Sequence, residues 1–460
     1  MVGETMTAIP IDGKQKTLAV EEVVFREDLY PRIKKSAETV QKYAETLDVL
    51  PPIEVNQHNE LIDGWNRWTA HKKVGAERIA VIVTPTTSDM ELLELAIERN
   101  AKYGLQLSQE DKRDMARRIY GETPTADQGK KKQRLAAILS VDITTVQKWL
   151  SRIDKDNRER RDATVFELWL ACHTEQEIAD KVGMGRDAVH DVLCQYGSFR
   201  LGTNPGDFSE IEDEAERLAE IERTNRAAAE YRTDFEVPIY NVWKQQNKSD
   251  GPKHFGNSEA RWLDNLLYLY TQPFEVVIDP FAGGGSAIDV CKKRLRRYWA
   301  SDRKPIVERE HEIRKHDLTE GLPALPRWAD VALVYLDPPY WKQAEGQYSE
   351  DAEDLANMEL GAFTKTLARI ISDFSKKLKP GAAIALLMQP TQWNAPERAY
   401  TDHILDVARE LNGAKRLRLD MRFSAPYESQ QCNAQMVEWA KENRRCLVLT
   451  REIVVWRVAA

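Results

Sequence analysis

The sequence predicts an α/β protein in which a C-terminal doubly wound sheet follows a small α/β unit and an α-helical region. Three runs, residues 274–279, 297–302 and 331–337, are predicted to be strands that each end in an aspartate, and the first and third of them are apolar. A glycine-rich turn follows the first run and enters a helix, which is typical of the first unit of a doubly wound sheet. Residues 16–100 alternate short β-rich runs with helical apolar spacing, which predicts the smaller α/β unit.

Length and composition exclude several classes of protein. The 460 residues suggest about three domains. Hydrophobic residues make up 42% of the chain, yet no apolar stretch is long enough to cross a membrane and the first fifteen residues carry no apolar signal core. The five cysteines are scattered, with no C-x-x-C pair. We therefore expect no membrane partner, no metal, and a reducing, cytoplasmic location.

The charge distribution predicts where the domains divide. The net charge of −8, from 66 basic and 74 acidic residues, argues against a protein that coats nucleic acid by bulk electrostatics. Residues 207–222 hold eight acids against one arginine, which marks a connector. The predicted organisation is an α/β domain over 16–120, a helical region over 121–200, an acidic helical linker over 201–236, and a larger domain over 237–460. A dimerising coiled coil is the alternative for the linker.

A strand, a glycine and a helix follow one another in the N-terminal unit. Strands are predicted over 52–55 and 80–84, and the run Ile62-Asp63-Gly64-Trp65-Asn66-Arg67 lies between them. A helix N-terminus behind Gly64, with Arg67 one turn into the helix, is a candidate phosphate cradle. An ordinary strand–turn–helix with a surface arginine explains the same spacing equally well.

These runs resemble the ParB N-terminal domain, a fold related to sulfiredoxin, over about residues 18–120. The resemblance implies that Gly64 and Arg67 stand where the family's G-x-x-R box contacts the phosphates of a nucleotide. A second family box is only partly matched, by Glu98-Arg99-Asn100. Nucleotide binding by this domain is therefore left open.

Two helix-turn-helix patterns follow in the helical region. In each, a small apolar residue and a turn precede a polar helix that carries an inward valine, which is the pattern that seats a recognition helix across its neighbour. Thr144, Gln147 and Lys148 in the first pattern, and Arg186 in the second, are the candidate DNA-binding residues. A purely structural helical bundle is the alternative.

The most informative segment begins with the strand over 274–279. It ends in Asp-Pro-Phe-Ala-Gly-Gly-Gly-Ser, where glycines let the backbone approach a ligand and the following helix attracts an anionic group. A dinucleotide site or a bare structural turn would explain this turn alone. Two further strand ends decide between these readings: Asp302 ends the next strand, where a ribose diol is expected. Asp337-Pro338-Pro339-Tyr340 ends the third with fixed acceptors beside an aromatic face.

Together these motifs resemble the amino-group DNA methyltransferases, which carry a Rossmann-like sheet, over about residues 237–458. The resemblance implies S-adenosylmethionine as cofactor and a reaction at adenine N6 or cytosine N4. It places Asp302 at the cofactor ribose, Asp317 near its adenine, and His254 and Phe255 at its methionine part. The remaining cofactor residues would be Asp279, Pro280, Phe281, Gly283 and Gly285. The target base would be held by Asp337, Pro338, Pro339 and Tyr340.

The residue types suit that chemistry. An exocyclic amino nitrogen is a poor nucleophile, because its lone pair is delocalised into the ring. Two acceptors, the Asp337 carboxylate and the Pro338 carbonyl, would draw on its N–H bonds while the flipped base stacks on Tyr340. We expect a DNA methyltransferase acting on double-stranded DNA that the N-terminal region helps to hold, with adenine N6 favoured because Asp rather than Ser opens the motif.

Two other functions fit the same motifs. One is a ParB-like DNA-binding or partition regulator with a vestigial methyltransferase domain, and the other is an RNA methyltransferase. A homodimer is left open, because both resembled families commonly dimerise. A bacterial or bacteriophage-infected cell would suit the fusion of the two domains.

Overall fold

A computed structural model describes residues 14–31, 37–102, 108–121, 127–195, 234–246, 258–343, 345–346, 354–427 and 432–460. These residues fold as two compact units, which divide between Arg160 and Arg161. The predicted α/β class is confirmed, since each unit contains a sheet covered by helices. The acidic linker predicted over 201–236 lies outside the described residues except for its last three.

The first unit is built on a four-stranded sheet. Its strands are β1 (Lys14–Ala19), β2 (Ile53–Val55), β3 (Leu61–Asp63) and β4 (Arg78–Val83), in the order β1-β4-β2-β3. Only β2 and β4 run parallel among these pairs. Helices α1 (Ala37–Ala44), α2 (Trp65–Lys73) and α3 (Asp89–Lys102) accompany the sheet. The core combines apolar residues of the strands with Trp68 of α2, whose indole N–H donates to the Val20 carbonyl at 3.0 Å.

Three helices complete this unit. They are α4 (Gln109–Tyr120), α5 (Gln128–Leu139) and α6 (Ile143–Leu170), the last of which ends in the second unit. A tight turn at Ser140, in the left-handed region with φ of 49°, joins α5 to α6. The two helices and α4 share a core that contains Leu135, Leu139, Val146 and Leu150. The first predicted helix-turn-helix is therefore a packed helix pair.

The second unit is built on a seven-stranded sheet. Its strands in chain order are β5 (Val276–Asp279), β6 (Arg297–Asp302), β7 (Ile313–Lys315), β8 (Val331–Leu336), β9 (Ala383–Met388), β10 (Leu417–Pro426) and β11 (Thr450–Val458). They lie in the order β10-β11-β9-β8-β5-β6-β7, with β5 to β9 parallel and β11 antiparallel to both neighbours. Strands β6 and β7 follow on one side of β5, and β8 and β9 lie on its other side, so the strand order reverses between β5 and β8. Ligands bind at the carboxyl ends of the strands at such a switch point.

Helices cover both faces of this sheet. On one face α9 (Ala260–Tyr270) and α10 (Ser286–Lys293) pack on Val277, Ala300 and Leu333. On the other face, α11 (Leu360–Lys377) and α12 (His403–Leu411) pack on the residues that alternate with these along the strands, such as Ile278 and Val334. The strands are apolar on both faces, as expected for a buried parallel sheet. No helix among the described residues combines the length and the apolarity needed to cross a membrane.

The second helix-turn-helix belongs to this unit. Helices α7 (Glu175–Val182) and α8 (Arg186–Gln195) place Ile178 and Val189 in the core that covers the first face of the sheet. Trp169, in the last turn of α6, lies 5.5 Å from the ring of Phe274, and Arg314 donates to the Ala171 carbonyl at 2.7 Å. The helix pair is thus packed against the sheet domain.

One sequence expectation about the C-terminus is wrong. The apolar runs 447–449 and 453–458 predict a terminal hairpin, but the first run is not a strand, and β11 pairs instead with β10 and β9. A helix, α13 (Ala434–Glu442), lies between β10 and β11 in the chain. The sequence hides β10 because it is an edge strand with mostly exposed or half-buried side chains, so that it lacks an apolar run.

We expect Gly64→Ala to destabilise the first unit more than the matched substitution Gly75→Ala. Both glycines have positive φ, which costs an alanine about 1–2 kcal/mol. A Cβ on Gly64 would also lie 2.6 Å from Ile53 Cγ2, whereas one on Gly75 would meet nothing within 4 Å. The crowding adds about 1–3 kcal/mol at Gly64. Equal losses of unfolding free energy in chemical denaturation would contradict the crowding argument.

Candidate active site at the sheet edge

Three aspartates meet at the carboxyl edge of the parallel strands. Asp279 ends β5, Asp302 ends β6, and Asp337 directly follows β8. Because these three strands are adjacent and parallel, their ends lie side by side. Burial raises the pKa of Asp279 well above its ordinary value. The hydrogen bond from the Phe281 backbone N–H lowers this pKa, and the charges of Asp337 and Asp302 raise it. Such an edge favours a ligand that carries positive charge.

The glycine-rich turn is held in place by hydrogen bonds from both sides. The Phe281 N–H donates to Asp279 Oδ1 at 3.1 Å, and the Gly283 N–H donates to Asp302 Oδ2 at 2.9 Å. The other Asp302 oxygen accepts from the Lys304 N–H at 2.9 Å. Asp302 therefore holds the turn through Oδ2 and its own loop through Oδ1. Of the predicted cofactor residues Asp279, Pro280, Phe281, Gly283 and Gly285, the structure shows Gly283 bonded to Asp302 and Phe281 bonded to Asp279.

Gly285 at the start of α10 is required by a neighbouring arginine. Its φ is +80°, and a Cβ there would lie 2.5 Å from Arg309 Nη1. That nitrogen donates to the Gly285 carbonyl at 2.5 Å, while Arg309 Nε pairs with Glu312 at 3.2 Å. Arg309 thus covers this end of the turn.

The other predicted cofactor residues are placed in part. Asp317 follows β7 and forms an ion pair with Arg303 at 3.0 Å. The backbone N–H of the adjacent His316 donates to the backbone carbonyl of Asp302 at 3.0 Å. Asp317 therefore lies near the end of β6. His254 and Phe255 lie outside the described residues.

Asp337, Pro338, Pro339 and Tyr340 form a loop after β8 that we call the acceptor loop. Hydrogen bonds fix both carboxylate oxygens of Asp337 in this loop. Ser258 Oγ donates to Oδ2 at 2.5 Å, and the Tyr340 hydroxyl donates to Oδ1 at 3.2 Å. Pro338 is buried, and Pro339 and Tyr340 are half-buried. Burial raises the pKa of Asp337, while the charge of Arg451 and the bonds from Ser258 and Tyr340 act in the opposite direction. The loop therefore presents an oriented carboxyl group beside an aromatic ring.

Three residues of this site belong to no motif found in the sequence. Ser258 precedes α9, Trp262 lies on α9, and Arg451 is the second residue of β11. Arg451 Nη1 donates to Ser258 Oγ at 3.0 Å, and its guanidinium carbon lies 5.5 Å from the Tyr340 ring centroid and 5.6 Å from that of Trp262. A serine and an arginine so distant from Asp337 in the chain carry no local signal.

A buried histidine supports the residue that follows the acceptor loop. Thr391 Oγ1 donates to the Trp341 carbonyl at 2.8 Å and lies 2.9 Å from His403 Nε2. Because the Thr391 proton goes to Trp341, His403 Nε2 carries the proton in this contact. The other ring nitrogen is buried and has no hydrogen-bond partner among the described residues. Burial lowers the pKa of His403 to about 4.

The candidate DNA-binding residues of the first helix-turn-helix share a surface. Thr144, Gln147 and Lys148 are exposed in the first turns of α6, at the spacing of neighbours on one helix face. The basic residues just before them serve the fold instead. Lys131 and Arg134 form ion pairs with Glu94 at 2.6 and 2.5 Å, and Lys132 forms one with Asp154 at 2.7 Å.

Arg186, the candidate of the second helix-turn-helix, is engaged within its own helix pair. Its Nε donates to Glu175 at 3.0 Å, and His190 contacts the same carboxylate at 3.0 Å. The neighbouring Asp187 is exposed. The start of α8 therefore offers little net positive charge to a phosphate backbone.

The arginines of the two boxes in the first unit make internal bonds. Arg67 donates to the carbonyls of Pro51 and Pro52 at 3.0 and 2.5 Å and to Asp63 at 2.6 Å. Arg99 donates to the buried Glu54 at 2.8 and 3.2 Å. Gly64 packs directly against Ile53. These bonds give both arginines a structural role in the unit.

No protein-family model and no curated protein matches the chain. Among solved structures, a Pnob8-like ParB N-domain is 13% identical, with 32% of this chain and 72% of that chain covered at a TM-score of 0.26. A C-terminally truncated ParB from Caulobacter crescentus with CTP-γ-S is 17% identical, with 30% and 77% covered at 0.19. A SAM-dependent methyltransferase from Archaeoglobus fulgidus is 15% identical, with 44% and 95% covered at 0.28. At these TM-scores none of the three assigns the chain to a family.

We expect acid to destabilise the protein partly through His403. A histidine whose pKa is about 4 when folded and about 6.5 when unfolded takes up its proton on unfolding, so stability falls below pH 6.5. That linkage removes about 2 kcal/mol between pH 7 and pH 5. In His403→Gln this part of the loss should disappear, as measured by unfolding at both pH values. An identical pH dependence in the two proteins would refute the assignment.

Proposed function

We propose that the chain is an S-adenosylmethionine-dependent methyltransferase that acts on the exocyclic amino group of a DNA base, with adenine N6 favoured over cytosine N4. The observation that carries the proposal is the fixed carboxyl group of Asp337, with Tyr340 beside it, at the carboxyl edge of a doubly wound sheet. The Asp-Pro-Pro-Tyr and glycine-rich motifs support the same reaction, because both stand at the switch point of the strands.

The residues at the edge fit the proposed cofactor. S-adenosylmethionine carries a sulfonium and an ammonium group, and the mutual repulsion of Asp279, Asp302 and Asp337 would be relieved by positive charge. When bound, the cofactor supplies a methyl group activated by the sulfonium. It would be held by Asp302 at the ribose and by the turn residues Asp279, Pro280, Phe281, Gly283 and Gly285, with Asp317, His254 and Phe255 completing the set.

The acceptor loop supplies the chemistry that the chain itself contributes. Asp337 in its ionised form accepts an N–H of the target amino group, and the Pro338 carbonyl accepts the second. Both bonds favour the form in which the nitrogen lone pair is free to attack. Pro339 stiffens the loop, and Tyr340 offers the flipped base a stacking surface that offsets part of the cost of leaving the helix, about a few kcal/mol.

Double-stranded DNA is the proposed partner, and the exposed α6 face is its proposed contact in the first unit. Thr144 and Gln147 can donate and accept hydrogen bonds, and Lys148 supplies charge. Arg186 is a weaker candidate because Glu175 neutralises it. Gly64 and Arg67 serve a nucleotide only if a phosphate replaces the internal bonds of Arg67.

The decisive test is methyl transfer from labelled S-adenosylmethionine to unmodified genomic DNA, with the product nucleosides analysed by mass spectrometry. We expect N6-methyladenine from the wild type and at least a 100-fold lower rate from Asp337→Asn, which weakens the acceptor. Asp373→Asn is the matched control. Asp373 lies near the C-terminal end of α11, which leads to the start of β9 at the sheet edge opposite Asp337.

The other outcomes of this experiment separate the alternatives. N4-methylcytosine would move the target atom. Methylation of RNA, with duplex DNA failing to compete, would establish an RNA methyltransferase. No methylated nucleoside from either polymer, together with tight DNA binding, would favour the ParB-like regulator with a vestigial methyltransferase domain.

Lys148→Ala should weaken DNA binding by about threefold to tenfold at low salt and reduce the slope of log affinity against log salt by about one. The physical reason is the loss of one phosphate contact and its released counterion. Lys42→Ala is the control, because it removes the same charge from an exposed position on α1. If both variants lose affinity equally, the α6 face is not the contact.

A further inference from the structure

The side chain of Arg451 links the start of β11 to the acceptor loop. In the register of the sheet, Arg451 lies opposite Ala425 of β10, and the next residue, Glu452, lies opposite Met388 at the end of β9. The start of β11 thus reaches the edge where β8 ends. From there Arg451 Nη1 donates to Ser258 Oγ at 3.0 Å, and Ser258 Oγ donates to Asp337 Oδ2 at 2.5 Å. The chain of bonds runs from the guanidinium to the carboxylate.

The same guanidinium lies near two aromatic rings. Its carbon lies 5.5 Å from the Tyr340 ring and 5.6 Å from the Trp262 ring, within the range of cation–π attraction. Its Nε is buried and has no hydrogen-bond partner among the described residues. We infer that this half-buried arginine is held in place mainly by the carboxylate and the rings around it.

The charges that face Asp337 show what Arg451 does. Asp337 raises the pKa of the neighbouring Asp279, and the hydroxyls of Tyr335 and Tyr340 lie in the same field without supplying positive charge. Arg451, from β11, is the cation that acts on Asp337 among the described residues. A protonated Asp337 would lose acceptor capacity toward an amino group.

We propose that Arg451 is a positioning residue that keeps Asp337 in its anionic form, fixes that carboxylate through Ser258, and sets the plane of Tyr340. The inference rests on the proposed function, because it concerns the same acceptor loop. It assigns the cation of the site to a strand outside the cofactor and acceptor motifs. Ser258 carries the orientation, and the guanidinium carries the charge.

The test compares Arg451→Met, Arg451→Lys and Ser258→Ala in the full chain. Methyl transfer to DNA is measured from pH 5 to pH 9, with cofactor binding measured separately by titration. In Arg451→Met we expect kcat at neutral pH to fall about tenfold to a hundredfold, the usual cost of removing a group that orients a reacting side chain. The acid limb of the pH profile should move to higher pH, because Asp337 then protonates more readily. Cofactor affinity should change less than kcat.

The conservative variants separate charge from orientation. Arg451→Lys should return the acid limb toward that of the wild type and recover only part of kcat, while Ser258→Ala should lower kcat with a smaller movement of the limb. Arg457→Met is the matched control. Arg457 lies on the same strand, pairs with Asp420 at 3.3 Å and covers the Tyr270 ring at 4.8 Å, but it lies opposite the start of β9, at the far edge of the sheet.

A result independent of turnover tests the same inference. In protein labelled with ¹³C at aspartate carboxyls, the Asp337 resonance is identified by its absence from Asp337→Asn and is titrated in each variant. A midpoint that rises in Arg451→Met but not in Arg457→Met supports the role of Arg451 even if no methyl transfer is found, in which case the proposed function alone fails. An unchanged midpoint and an unchanged acid limb in Arg451→Met would overturn the inference.

Discussion

The partial burial of the Asp337 carboxylate directly after β8 is the constraint on which the rest of the site depends. Removing an ionised carboxyl group from water is costly unless it is paired and hydrogen-bonded. Here the compensating charge is that of Arg451, and the hydrogen bonds come from Ser258 and Tyr340. Each of these residues is supplied by a different element, so that the geometry of Asp337 depends on the packing of α9, β8 and β11 together.

The topology of the sheet explains why the cation comes from β11. Parallel strands deliver only their carboxyl ends to the ligand edge, and their first residues lie at the opposite edge. Because β11 is antiparallel to β9, its first residues reach the ligand edge instead. The antiparallel strand β11 therefore places Arg451 at the same edge as Asp337. The other end of β11, at Arg457, lies at the opposite edge. The turn after β5 is fixed in a comparable way, since Asp302 and Arg309 hold it through its backbone atoms.

The sequence predicts those parts of the protein whose signal is local. Strands that are apolar on both faces and end in Asp279, Asp302 and Asp337 lie where expected, because parallel strands with buried faces leave a continuous apolar run. Ser258 and Arg451 were missed because 193 residues separate them in the chain and neither stands in a motif. The edge strand β10 was missed because its exposed side chains follow no apolar pattern. Only three-dimensional packing reveals such residues.

Basic side chains just before α6 are used within the first unit. Lys131, Lys132 and Arg134 bind the acids of their own unit. A contact made by Thr144, Gln147 and Lys148 would have a small counterion-release term, so that affinity would depend on base-edge hydrogen bonds more than on charge. Under the proposed function, a modest contact suffices, because DNA held by one unit meets the other at a raised effective concentration. Affinity would then come from linkage within one chain rather than from the overall charge of the protein, which is negative.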